Sequence, residues 1–219
     1  MAIVAEEDRA PGGRRERILR STIEVIRERG FAGTRVSDIA ERAGTSQGLV
    51  LYHFGSLAEA LSKSLTLLED EFYAELDDEL SQAEGPIDRL WHMAELASGY
   101  GPAVGDWRLW LELWARAMHD DDARQARESL DRRWRAALLT VIAEGVAAAD
   151  FVVADPTRAS LRLAALMDGL AIQLALEDPG MTRAVFTDLW WEAAVLELGI
   201  TDPMRHQPPK KRGGTRSAR

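Results

Sequence analysis

The chain has 219 residues, no cysteine, a formal net charge of −9, and 46% hydrophobic against 29% charged residues. That length suits one or two domains with a real core, and the missing cysteine excludes disulfides and cysteine-held metals. Residues 1–8 lack the basic and apolar stretches of a secretory signal, and the most apolar run, 161–176, is interrupted by Arg162, Asp168 and Gln173. It is too short to span a bilayer, so the expectation is a soluble cytoplasmic protein with no membrane partner.

Residues 1–13 read as a disordered start. The first helix is predicted over 14–29, with Leu19, Thr22, Ile23 and Ile26 on one face, and Gly30-Phe31-Ala32-Gly33 ends it. Thr34 can cap a second, short helix, in which Val36, Ile39, Ala40 and Ala43 repeat at the spacing of a half-buried face. Gly44 supplies the positive φ for a sharp exit, and Ser46 can cap a third helix. That helix has only Val50 and Phe54 at core spacing, so Gln47, Gly48, Leu49, Leu51, Tyr52 and His53 must point largely outward. Packing explains such a helix poorly. The recognition helix of a helix-turn-helix explains it well.

Ser56-Leu57-Ala58-Glu59 reads as a capping box opening a long helix to about Gln82, with an acidic far end, and Gly85-Pro86 breaks it. Five further helices are expected over 86–98, 103–118, 122–148, 156–177 and 180–198, separated by Pro, Gly and Asp signals. No segment alternates with period two for long enough to form a strand, so the fold class is all-α. The 156–177 helix is apolar nearly all round, and Phe186, Leu189, Trp190, Trp191, Val195 and Leu196 follow it. This is more apolar surface than one core needs, and a homodimer would bury the excess. Residues 201–219 form a basic tail expected to be disordered.

The negative total conceals a division. Residues 9–42 carry nine Arg against five acids, whereas 43–209 hold thirteen basic and twenty-eight acidic groups. A basic head on an acidic body fits DNA binding, because only the head must face phosphates.

From 14 to about 68, the leading helix, Gly30-Phe31, Thr34, Asp38-Ile39-Ala40, Ala43-Gly44 and Tyr52-His53-Phe54 together resemble the DNA-binding head of TetR-family transcriptional regulators. Beyond about Gly85, the Trp-rich 107–114 segment, Arg132-Arg133-Trp134-Arg135 and Leu166-Met167-Asp168-Gly169-Leu170 resemble a BetI-type body. The resemblance implies a three-helix helix-turn-helix domain at 14–60, joined by a long helix to a ligand-binding and dimerisation domain at 61–200. It further implies a homodimer that grips a double-stranded operator and answers a small-molecule effector. Repression is the expected outcome, with activation or ligand-independent regulation as alternatives.

The candidate DNA contacts are Thr34, Arg35, Thr45, Ser46, Gln47, Gly48, Leu49, Leu51, Tyr52 and His53. Gln47 is placed to pair with an adenine edge. Thr34 and Arg35 stand at a helix N-terminus suited to a phosphate, and Tyr52 and His53 match the family's phosphate-contacting pair. Two positions depart from the family pattern. Leu57 stands where a Lys is common, and Leu51 where an aromatic is common.

Trp107, Trp110, Trp114 and Met118 share one helical face and read either as core or as a cavity wall. His92, Tyr100, Met167 and Gln173 are the other candidate lining residues, and an aromatic box would suit a cation. His119-Asp120-Asp121-Asp122 is read as a helix cap, since adjacent residues cannot all face one ion. With no Gly-x-Ser-x-Gly, His-Glu-x-x-His or phosphate-cradling loop, no catalytic residue, metal or cofactor is assigned, and a helical enzyme is the rival class.

Overall fold

A computed structural model describes residues 13–100 and 107–201. Among them are nine α-helices, one π-helical turn and no strand. In chain order these are α1 (Arg14–Arg29), α2 (Val36–Arg42), α3 (Gln47–Phe54), α4 (Leu57–Gln82) and α5 (Pro86–Glu95). The π turn Leu96–Tyr100 follows, then α6 (Trp107–Ala117), α7 (Asp121–Ala147), α8 (Pro156–Ala175) and α9 (Arg183–Leu198). The helix expected over 86–98 is α-helical to Glu95 and passes into the π turn, where Gly99 takes a positive φ of 89° and its carbonyl accepts from the Arg183 guanidinium. The ends expected to be disordered lie almost wholly on residues 1–12 and 202–219, outside the described residues.

The chain divides into two compact units, Met1–Glu75 with Pro102–Asp131 and Leu76–Gly101 with Arg132–Arg219. Within the first unit the organising element is α1. That helix buries two faces, where its sequence offered one. Ile18, Leu19 and Val25 pack with Ile39, Ala40, Val50, Phe54 and Ala60. Ile23 and Ile26 instead join Leu61, Leu65, Leu109, Leu113, Ala117, Ala123 and Leu130. So α6 and the start of α7, expected in the body, complete the core beside the helix-turn-helix.

In the second unit α9 buries Phe186, Trp190, Ala194 and Leu198, one helical turn apart each time. The Trp190 indole N–H donates to the Leu163 carbonyl on α8 at 3.0 Å, which satisfies a fully buried polar group. Asp155 caps α8 by accepting from the Arg158 N–H at 3.0 Å, and Thr182 caps α9 through the Val185 N–H at 3.2 Å. No helix among the described residues is long and apolar enough to cross a membrane.

Candidate nucleic-acid interface and effector body

The outward face of α3 is created by what pins its inner face. Val50 and Phe54 are each 1% exposed, and their i, i+4 spacing fixes the rotation of the helix about its axis. The Ser46 hydroxyl accepts from the Leu49 N–H at 3.2 Å and sets its start, while Gly44 turns the chain at φ 62°. Gln47, Gly48, Leu51 and Tyr52 are consequently exposed, Tyr52 at 80%. Leu49 and His53 are half-buried, as is Thr45, whose N–H donates to the Ala40 carbonyl at 2.8 Å. A Cβ on Gly48 would meet only the Ser46 hydroxyl, at 3.9 Å, so nothing inside the head requires glycine there.

Thr34 needs correction as the cap of α2. It is buried, and its hydroxyl donates to the Gly30 carbonyl at 2.7 Å, closing the turn after α1. The cap position of α2 belongs to Arg35, whose backbone N–H donates to Asp38 Oδ2 at 3.0 Å while its side chain stays outside. The capping box expected before α4 forms by half: Ser56 Oγ accepts from the Glu59 N–H at 3.1 Å, but the Ser56 N–H goes to the Phe54 carbonyl.

Ion pairs sort the basic residues of the head. Arg42 meets Glu24 at 3.1 Å and Glu28 at 2.6 Å, Arg29 meets Asp38 at 2.9 Å, and Arg20 bridges Glu16 and Glu71. Hydrogen bonding to Arg42 holds the Glu28 carboxyl below the usual carboxylate range. Arg14, Arg15 and Arg35 make no ion pair among the described residues.

The tryptophan helix α6 turns Leu109, Leu113 and Ala117 fully inward. Trp107, Trp110 and Trp114 are half-buried beside that face, with the first two rings 6.4 Å apart and Trp110 packed against the cluster of α1, α4, α6 and α7. The stripe is therefore neither a fully buried core nor a free surface. The Trp114 indole N–H is buried without an acceptor. Met118 departs from the expectation: it lies past the end of α6 and is 68% exposed, because the helix stops before the stripe's next turn.

The other lining candidates belong to the second unit. Met167 is buried inside α8, whereas Gln173 is exposed on its outside. His92 faces carboxylates, with Nδ1 at 3.3 Å from Glu79 and Nε2 at 3.8 Å from Asp88. The side chain of Tyr100 lies outside the described residues. Sequence reading missed the edge-on pair of Trp91 and Trp191, 5.2 Å between ring centroids, and Glu95, whose carboxyl burial pushes up. Trp91 and Glu95 are one turn apart on α5, a spacing that was available.

Asp120 caps α7, with Oδ1 accepting from the Ala123 N–H at 3.0 Å and Oδ2 taken by Arg116. Its carboxyl is held low, first by that backbone bond and then by the guanidinium. Among the described residues no cluster of His, Cys, Asp and Glu is arranged to hold a metal.

Outside α8 and α9, Leu161, Ile172, Leu176, Leu189 and Leu196 are exposed, the last at 84%. A Cβ on Gly169 of α8 would meet nothing within 4 Å.

A pinned recognition helix in a basic three-helix head, followed by an all-helical body, defines a helix-turn-helix transcription regulator. Residues 18–59 match the model of bacterial regulatory proteins of the tetR family, and residues 86–193 match the BetI-type transcriptional repressor C-terminal model. Among relatives, "HTH-type transcriptional regulator BetI 2" of Chromohalobacter salexigens is 30% identical over 184 residues, covering 78% of this chain and 82% of that one. Among solved structures, a transcriptional regulator of Saccharomonospora viridis in complex with choline superposes with a TM-score of 0.75 and 27% identity, over 81% of this chain and 93% of that one. A TetR-family regulator from Rhodococcus sp. superposes with a TM-score of 0.74 and 25% identity, over 84% of this chain and 98% of that one. The chain belongs to the TetR family, and it is a DNA-binding transcriptional regulator with a BetI-type body.

Proposed function

We propose that the protein is a cytoplasmic, homodimeric repressor whose paired α3 helices enter successive major grooves of a pseudo-palindromic operator. The observation that carries this reading is α3 itself: Val50 and Phe54 are locked inward while Gln47, Gly48, Leu51 and Tyr52 stand outside. Gln47 reads a base edge, and Thr45, Ser46, Leu49, Tyr52 and His53 seat the helix, with Arg35 on a phosphate. The exposed leucines of α8 and α9 pair with a second copy, since an apolar stripe of that extent calls for a partner. The reading assigns no catalytic role to any residue.

The effector acts on the body and lowers the population of the DNA-competent state. Because the Saccharomonospora viridis relative was solved with choline, a small organic cation is the first effector to try. The half-buried Trp107, Trp110 and Trp114 supply ring faces suited to one. Selection of bound fragments from random DNA, with and without choline and a metabolite panel, tests the whole reading. The expected result is a pseudo-palindrome whose recovery falls with one ligand. No enrichment of any sequence would overturn it.

A further inference from the structure

We propose that Arg15 is a DNA-backbone contact, gripping a phosphate beside the C-terminal end of α3 as Arg35 does near α2; the proposal rests on the DNA-binding reading of the head. The argument begins with charge already spent. Arg20, Arg29 and Arg42 are each held by carboxylates of α1, α2 or α4, so their guanidinia are partly neutralised before any polyanion arrives. Arg15 is not held in this way. Its guanidinium carbon lies 5.2 Å from the centroid of the Phe54 ring, within the range of a cation–π contact, which orients a cation without cancelling its charge.

Phe54 is the last residue of α3. Its ring stands 6.0 Å from that of His53, which in turn stands 5.4 Å from that of Tyr52. Arg15 thus ends a row of rings running to Tyr52, the most exposed aromatic of the recognition helix. The chain that follows offers no competing cation there, since Ser56, Leu57, Ala58 and Glu59 open α4. Helix stability does not explain the residue either. Arg15 sits in the first turn of α1, where the helix dipole disfavours a cation. An uncommitted cation, aimed by an aromatic ring and placed against its own helix dipole, fits an anion brought from outside.

The test is the salt dependence of binding to a long mixed-sequence duplex and to an operator fragment recovered by selection. Losing one phosphate contact should flatten the log–log salt slope by about 0.9 and weaken binding roughly five-fold at about 0.15 M salt, equally on both DNAs. Arg15→Gln should show both effects, Arg15→Lys should restore most of the slope, and Arg42→Gln should leave it unchanged. Melting curves exclude loss of the head as the cause. A folded Arg15→Gln protein with the wild-type slope overturns the role of Arg15 and leaves the DNA-binding reading standing. A wild-type protein that binds neither DNA overturns that reading itself.

Discussion

The recognition helix α3 and the last helix α9 are pinned in the same way and present opposite chemistry. In α3 the anchors are Val50 and Phe54, and in α9 they are Phe186, Trp190, Ala194 and Leu198, all spaced one turn apart. Each ladder fixes which residues face outward. On α3 the outside holds Gln47, Gly48, Leu51 and Tyr52; on α9 it holds Leu189 and Leu196. Inner packing therefore sets orientation, and the outer residues decide the partner: in the proposed reading, the hydrogen-bonding, close-approach surface of α3 takes DNA and the apolar one of α9 takes a second copy. Changes to either outer face should alter partners and spare the fold, whereas changes to shared anchors should remove both.

The largest effect is expected on α9. Leu196→Glu places a charge where a partner copy would bury leucine. The protein should become monomeric in analytical ultracentrifugation while keeping its helicity. Operator affinity should fall by about 10²–10⁴-fold, the avidity lost when two linked heads become one. A dimer that survives this change would remove α9 from the interface.

Next comes an anchor shared across the first unit. Leu113 of α6 packs in the cluster that holds Ile23 and Ile26 of α1, and α1 also supplies Ile18, Leu19 and Val25 to the core beneath α3. Leu113→Ala should cost about 2–5 kcal/mol and weaken operator binding in parallel with thermal stability, although residue 113 is far from α3 in sequence. Retention of full DNA binding in a protein whose body has melted would show that the helix-turn-helix folds alone.

These two cases also show how far the sequence could be read. Most helix boundaries followed from local signals: Gly30 ends α1, Ser46 caps α3 and Asp155 caps α8, whereas α9 starts at Arg183 behind a Thr182 cap, three residues later than expected. The anchors of α3 followed from a single spacing. What escaped was tertiary. The second buried face of α1 shows only when α6 arrives to cover it, and nothing local to residues 14–29 reveals residues 109–117. Thr34 escaped because a buried hydroxyl turned back to the Gly30 carbonyl reads in sequence like a forward cap. Trp107, Trp110 and Trp114 share a face as their spacing implies, yet Leu109, Leu113 and Ala117 occupy the more buried one.

A smaller effect belongs to base reading. Gln47 is exposed at the first position of α3, so its side chain contributes little to folding. Gln47→Ala should leave the melting temperature unchanged, cost about 1–3 kcal/mol on the best operator, and relax the preference at one symmetric base pair. Equal loss on all sequences would make Gln47 a positioning residue instead.

The smallest energy, and the sharpest separation of inner from outer face, is expected at Gly48. Its position is helical, and an added methyl would find only the Ser46 hydroxyl at 3.9 Å. Folding alone should therefore favour alanine, by about 0.4–1 kcal/mol, because glycine loses more chain entropy in a helix. If α3 lies close against a major groove, the same methyl stands between the helix and the bases, and operator affinity should fall as stability rises. Differential scanning calorimetry beside operator titration reads both quantities on one sample. A Gly48→Ala protein that gains stability and binds as before would place residue 48 away from the DNA and rotate the contacting face toward Leu51 and Tyr52. Lost stability would mean the head needs the glycine for its own packing, against the space seen around it.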